Sequence, residues 1–210
     1  MRQSLREFQA PGGPGRAHVC RPPHAVGTVV LSHGAGGGID AVDLAVARDV
    51  LTERGWAVVL VEQPWLVAGR RVAGPPPTLD AAWVPIVAAL LTGRGRLPRP
   101  LVVGGRSAGA RVACRTAAAL EADAGLLLSF PLHPPGRPDR LRADELAAAP
   151  PPTGIVQGER DPFGSPAELA PHLPWGAVVH AVPGAHSFPP SSRAELARAV
   201  LDAARRLPSP

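Results

Sequence analysis

The sequence predicts an α/β protein with a mostly parallel central sheet and helices on both of its faces. Short, continuously apolar segments alternate with longer segments of helical periodicity along the 210 residues, which is the pattern of parallel strands buried on both sides. The apolar fraction of 45% is enough for a sizeable core, and the length predicts a single domain over residues 1–210.

The individual elements follow from local composition and periodicity. The portion up to about Pro23 is predicted to add one or two edge strands. Continuously apolar segments predict six further strands, at 26–32, 57–62, 100–105, 124–130, 153–158 and 177–182. Amphipathic segments predict four helices, at 41–55, 78–93, 108–121 and 191–207. In the first helix Leu44, Ala47 and Leu51 share a face and Gly55 suits the end, whereas Pro85 predicts a local disturbance in the second.

Charge and composition bear on the class of partner. The net charge is +5, and all 22 basic residues are arginines that are dispersed along the chain without a long basic run. Dispersed arginines are typical of an ordinary charged surface, so no nucleic-acid partner is expected. No apolar stretch reaches the length of a membrane span, and the first residues lack the apolar run of a signal peptide. We therefore expect a cytoplasmic protein with no membrane partner, either a monomer or a homodimer.

The two cysteines, Cys20 and Cys114, suit a reducing compartment. Cys114 falls on the predicted helix after residue 107 and is expected to fill the core rather than to act as a catalytic thiol. The chain has no CxxC pair and no His/Cys spacing typical of zinc. No metal and no cofactor are expected.

The segment GRSAG, Gly105 to Gly109, follows a predicted buried strand and opens a predicted helix. This is the setting of a nucleophile elbow, in which a sharp strand-to-helix turn exposes a serine, here Ser107, and the flanking positions have no room for side chains. The competing interpretation is an ordinary turn with Ser107 as the N-cap of the helix.

A glycine-rich segment, SHGAGGG at 32–38, ends an earlier strand. Such a turn can direct backbone N–H groups at a developing oxyanion, and the predicted donors are the N–H groups of Ala35 and of Ala108, just after Ser107. A phosphate loop is the alternative. Neither glycine segment has the G-K-[ST] ending of a P-loop, and Gly34, Gly36 and Gly38 give only G-x-G-x-G rather than a dinucleotide fingerprint.

Asp161 and His186 each lie just past a predicted strand. With Ser107 they follow the chain order Ser, Asp, His of α/β-hydrolases, and the carboxyl ends of parallel strands meet at one edge of the sheet. His186 is predicted to take the proton of Ser107, and Asp161 to hold the imidazole tautomer. The alternatives are Glu159 as the acid and His180 or His172 as the base.

The same residues carry a resemblance to a family. LSHGAGGG, GGRSAGARVA, FPLHPPGRPDRLR, QGERDPFG and GAHSF resemble the small bacterial α/β-hydrolases of the dienelactone-hydrolase-like kind. More closely, they resemble the group that includes the eukaryotic testis-expressed protein 30 and the third subunit of the non-specific-lethal chromatin complex. The resemblance covers roughly residues 26–188 and implies a lidless, cofactor-free serine hydrolase with the α/β-hydrolase fold. Ala108 departs from it, since the family motif has a larger residue such as methionine there.

Residues near the strand ends suggest the substrate. Trp65 and Leu66 offer apolar contact, and Arg70 and Arg71 follow them in the loop at 69–77. Other candidates for substrate contact are Gly34, Arg106 and His133. The arginines suggest an anionic group on the substrate. Alternatively, Arg106 or Arg111 pairs internally with Glu62 and braces the elbow.

The predicted partner is a small-molecule ester or thioester. Only the loops at 69–77 and 131–138 are placed to cover the site, so a shallow, open pocket for small or medium substrates is expected. The leading interpretation is hydrolysis through an acyl-enzyme on Ser107. Acyl transfer to another acceptor uses the same three residues, and a catalytically idle fold that binds other proteins is the alternative of a different class.

Overall fold

The computed structural model describes residues 2–208, and within them eight strands form one sheet in the order β1-β2-β4-β3-β5-β6-β7-β8. The strands are β1 (Arg2–Ala10), β2 (Gly13–Arg21), β3 (Thr28–Ser32), β4 (Ala57–Glu62), β5 (Leu101–Arg106), β6 (Ala124–Leu128), β7 (Thr153–Gly158) and β8 (Ala177–Val182). The α-helices are α1 (Val42–Glu53), α2 (Pro64–Val67), α3 (Pro76–Leu91), α4 (Ala108–Thr116), α5 (Ala143–Ala147), α6 (Pro166–Leu169) and α7 (Arg193–Ala204).

The N-terminal hairpin supplies the antiparallel part of the sheet. β1 pairs with β2 from Arg2↔Arg21 to Ala10↔Gly13, and β2 pairs antiparallel with β4. The turn between them is Pro11–Gly12, and φ is 91° at Gly12 and 122° at Gly13, the first residue of β2, a region open to glycine at little cost. The remaining neighbours pair in parallel. The predicted edge strands and the mostly parallel sheet are confirmed.

Helices cover both faces of the sheet, as predicted. On one face α1 and α7 pack over alternate residues of the central strands, such as Leu31 and Val58. On the other face α3 and α4 pack over the residues between them, such as Val30 and Val59. All five residues of β3 are buried, because helices cover the strand on both faces. This burial on both faces explains why the strand is not an alternation of polar and apolar residues.

The predicted boundaries differ from the structure in a few places. The helix predicted at 108–121 ends at Thr116, and turns follow until Glu121, which has φ of 49° and leads the chain into β6. α3 continues across Pro85 instead of breaking there. The short helices α2, α5 and α6 were not predicted, since four or five residues are too few to show a helical period.

Among residues 2–208, none of the helices combines the length and the apolar character that crossing a membrane requires.

Candidate active site

Ser107 occupies the tight turn between β5 and α4, with φ of 53° and ψ of −111°. Only a few per cent of non-glycine residues have positive φ, and such residues concentrate at functional sites. A Cβ added to Gly105 or Gly109 would overlap the main-chain carbonyl of Ser32 on β3. The two glycines therefore let the turn pack directly on the neighbouring strand, and this turn has the geometry that the elbow interpretation predicted.

The side chain of Ser107 faces His186. Ser107 makes no side-chain capping bond to α4, and its Oγ lies 2.9 Å from His186 Nε2. Ser107 therefore occupies the N-cap position of α4, but its hydroxyl does not cap the helix. His186 Nδ1 lies 2.9 Å and 3.1 Å from the two carboxylate oxygens of Asp161. Because that carboxylate accepts the Nδ1 hydrogen, Nε2 is left to accept the proton of the Ser107 hydroxyl.

Asp161 and His186 reach this position because each follows a strand at the carboxyl edge of the sheet, β7 and β8 respectively. Asp161 is 3% exposed, and its Oδ1 accepts the backbone N–H of Phe163 at 2.9 Å. The ring of Phe163 packs against the imidazole of His186 with centroids 4.1 Å apart. The imidazole is thereby held at its edge by a carboxylate and on its face by an aromatic ring.

Gln157 is a residue of this site that the sequence did not single out. It lies on β7, and its Nε2 donates to Asp161 Oδ2 at 3.0 Å and to the Gly164 carbonyl at 2.7 Å. Its Oε1 accepts the backbone N–H of Phe130 at 2.8 Å. The signal available in the sequence is one polar amide within the otherwise apolar segment TGIVQG.

The glycine-rich segment after β3 lies against the elbow. A Cβ added to Gly34 would lie 3.3 Å from the Cβ of Ser107. Gly34 therefore packs against Ser107, and Ala35 is the next residue of the segment. Ala108 is the first residue of α4, where N–H groups have no intrahelical acceptor. The two N–H groups predicted to hold an oxyanion thus belong to segments that border Ser107.

His33 fixes this segment from behind. Its Nε2 accepts the backbone N–H of Gln63 at 3.1 Å, so Nδ1 carries the hydrogen and donates to the Gly34 carbonyl at 2.9 Å. The Trp65 ring packs edge-on at a centroid distance of 5.1 Å. Burial lowers the pKa of His33 below its ordinary value, which agrees with a neutral ring.

The rival residues are placed differently from Asp161 and His186. Glu159 is exposed, His180 lies within β8, and His172 ends a short 3₁₀ helix. Burial raises the pKa of the Cys114 thiol to about 12, so this buried cysteine on α4 is not a thiolate nucleophile.

Arg111, predicted to pair internally, and His133, predicted to contact the substrate, both have partners within the protein. Arg111 bonds the Glu145 carboxylate at 2.6 Å and 2.7 Å, so the predicted internal pairing exists, but Glu62 is not the partner. Glu62 instead lies 2.8 Å from His18. His133 is buried, and its ring nitrogens lie 3.0 Å from the Pro134 carbonyl and 3.2 Å from Glu168.

The remaining predicted contact residues differ in exposure. Trp65 is 8% exposed and belongs to the core over α3, whereas Arg70 and Arg71 are exposed on the following loop. Arg106 contacts Asp43, His186 and Ser187. A cavity of about 250 Å³ opens beside Arg106, lined by the glycines at 36–38, the start of α1, Ser187 and Phe188. A larger cavity of about 480 Å³ lies under the N-terminal hairpin, away from Ser107.

Within the part of the chain that the structure describes, no three His, Cys, Asp or Glu side chains are grouped to hold a metal ion.

A family model described as an alpha/beta hydrolase domain matches residues 25–206. No curated protein matches the chain in sequence.

Solved structures are similar over nearly the whole chain. A lidless α/β serine hydrolase from Xanthomonas campestris has a TM-score of 0.79 at 21% identity, covering 100% of this chain and 97% of its own. An α/β serine hydrolase homologue from Coxiella burnetii has a TM-score of 0.77 at 17% identity, covering 96% of this chain and 97% of its own. A dienelactone hydrolase from Anabaena variabilis has a TM-score of 0.76 at 18% identity, covering 98% of each chain. At these identities the likeness shows the fold, and the fold predicted from the sequence is confirmed.

Proposed function

The chain belongs to the α/β-hydrolase family, and we propose that it is a serine hydrolase that cleaves small or medium esters or thioesters. The observation that carries this proposal is the continuous hydrogen-bonded chain from Ser107 Oγ through His186 to the buried carboxylate of Asp161, with distances of 2.9 Å at both links. A buried carboxylate on one imidazole nitrogen and a hydroxyl in a strained turn on the other is the arrangement that activates a serine.

The proposed reaction begins with proton transfer. His186 Nε2 takes the Ser107 proton while Oγ attacks the acyl carbonyl carbon, and the negative charge on the carbonyl oxygen is held by the N–H groups of Ala35 and Ala108. As the carbonyl re-forms, the bond to the leaving oxygen or sulfur breaks and His186 returns the proton to it. Water then repeats the sequence on the acyl-enzyme and releases the acid and free Ser107.

The proposed substrate class rests on the loop that follows α2. The exposed loop with Arg70 and Arg71 follows α2, which packs near the glycine-rich segment through Leu66 and Gly38. We propose that these arginines meet a carboxylate or phosphate on the substrate. Replacing both with alanine should raise KM for charged esters only. An equal loss on neutral esters would reject the anionic group.

Labelling with a fluorophosphonate probe, followed by peptide mass spectrometry, tests the reaction. The expected result is an adduct on Ser107 in the wild type, strong reduction in His186→Ala, and none in Ser107→Ala. His180→Ala is the matched control, because this histidine lies on β8 a few residues before His186 and should leave labelling unchanged.

The absence of any adduct in folded wild-type protein would refute the hydrolase. It would favour the binding-module alternative, to which the resemblance to the chromatin-complex subunit points. If the adduct forms, release of free acid rather than a transferred acyl product separates hydrolysis from acyl transfer.

A further inference from the structure

We infer that Arg106 is a positioning residue. It holds the loop after β8 that carries His186, and the glycine-rich segment at 32–38, in fixed positions relative to Ser107. This inference rests on the proposed function. It assigns Arg106 a role different from the substrate contact that the sequence suggested.

The side chain of Arg106 bonds the loop that carries His186. Its Nη2 donates to the His186 backbone carbonyl at 2.8 Å and to Ser187 Oγ at 2.6 Å. Arg106 ends β5 and is bonded in the chain to Ser107. The contacts therefore tie the main chain of His186 to the residue next to its hydrogen-bond partner, across 80 positions of sequence.

The same guanidinium is anchored on its other side by a buried acid. Arg106 Nε lies 3.1 Å from Asp43 Oδ2, with side-chain exposures of 11% and 2%. Asp43 lies in the first turn of α1. Burial raises the pKa of Asp43, and the positive charge of Arg106 opposes that rise. A carboxylate this deeply buried is costly without a cation beside it, so the contact favours this direction of the Arg106 side chain.

The third contact is with the glycine-rich segment. A Cβ added to Gly34 would lie 2.8 Å from Arg106 Nη1, so the guanidinium packs against the Gly34 backbone. One planar group thus touches α1, the segment with the proposed oxyanion donor Ala35, and the His186 loop. A lysine ammonium on a flexible stem cannot make this set of directed contacts at once.

Two tethers therefore hold His186. Asp161 holds the imidazole and Arg106 holds the main chain. Without the second tether the imidazole pivots about Asp161, and the distance from Nε2 to Ser107 Oγ is no longer fixed. A displacement of about 1 Å at a reacting group lowers the rate by about 10²-fold.

Arg106→Met removes the directed contacts and keeps much of the apolar length. We expect about a 10²-fold fall in kcat for p-nitrophenyl acetate, a much smaller change in KM, and a parallel fall in the rate of fluorophosphonate labelling. Arg106→Lys should recover a part of kcat. A lysine restores the positive charge beside Asp43, but it does not restore the planar guanidinium that also bonds the His186 carbonyl and Ser187. Arg111→Met is the matched control, since Arg111 lies four residues after Ser107 and pairs only with Glu145 among the described contacts. It should lower the melting temperature and leave kcat unchanged.

Ser187→Ala provides a second variant if Arg106→Met does not fold. It removes only the 2.6 Å bond between Arg106 Nη2 and Ser187 Oγ. It should lower kcat less than Arg106→Met does, while the melting temperature stays near that of the wild type. Unchanged kcat in a folded Arg106→Met or in Ser187→Ala, or equal losses in Arg106→Met and Arg111→Met, would overturn the inference. If the wild type itself fails to label at Ser107, the proposed function fails instead, so the two failures are distinguishable.

Discussion

Gln157 lies behind the acid of the site, and its replacement tests whether Asp161 depends on a buried amide. Leucine has nearly the same size and removes the bonds to Asp161 at 3.0 Å, to Gly164 at 2.7 Å and from Phe130 at 2.8 Å. The side chain of Gln157 is fully buried, so water does not replace these partners.

The size of the effect follows from those contacts. Leaving a buried group without its partner costs about 1–3 kcal/mol. Here the Gly164 carbonyl and both the N–H and the carbonyl of Phe130 lose a bond, while Asp161 Oδ2 keeps its bond to His186, so Gln157→Leu should destabilise by about 4 kcal/mol. For a chain of this size that lowers the melting temperature by roughly 10 °C. Thermal unfolding followed by circular dichroism measures it. Gln9→Leu, on the exposed face of β1, is the control and should change stability by less than about 0.5 kcal/mol.

Gln157→Glu separates packing from charge. The introduced carboxyl would lie about as far from Asp161 as the present amide, 3.0 Å from Oδ2, and the two acids cannot both ionise at low cost. The introduced group therefore has a raised pKa in the folded state, and the variant should lose stability as pH rises above about 4.3. A wild-type melting temperature in Gln157→Leu, or a stability of Gln157→Glu that does not change with pH, would refute the reasoning.

Three further predictions follow from other contacts. Burial alone would raise the pKa of Glu145, but hydrogen bonds and charge from Arg111 hold it below its ordinary value. Glu145→Gln should therefore lower the melting temperature at neutral pH. The difference in melting temperature between wild type and variant should shrink as pH falls below about 4.3. Since burial lowers the pKa of His33, the stability due to this residue is full above about pH 6.5 and declines below it; His33→Gln should flatten that part of a plot of melting temperature against pH. Gly109→Ala should abolish folded, labelled protein because its Cβ would overlap main chain, whereas Gly36→Ala, with open space around it, should leave the yield and melting temperature unchanged.

Much of the fold was predictable because its parallel strands are largely apolar along their length. β4, β7 and β8 begin and end where continuous apolar composition placed them; β4 and β7 are buried almost throughout, whereas the edge strand β8 is only partly buried. The positions of Ser107, Asp161 and His186 followed from the same source, because each comes at the end of such a strand and parallel strands end at one edge.

Contacts between distant segments were not predictable. Arg111 has several acids within reach in principle, and only the packing of α4 against α5 selects Glu145, 34 positions away. Arg106 is similar: its partners Asp43 and His186 lie on either side of it in sequence, and no local pattern relates them. Side-chain pairing depends on the final packing, which composition and periodicity leave open.

The direct contact of Gly105 and Gly109 with the Ser32 carbonyl has a consequence for protein engineering. Ser107 is located by main chain resting on main chain, so its position does not depend on which side chains line the surrounding loops. The exposed loop with Arg70, Arg71 and Val72 can therefore be randomised in a selection for new substrates without moving Ser107. The proposed nucleophile and the proposed substrate-contact arginines are then separately mutable, which makes this scaffold suitable for loop libraries.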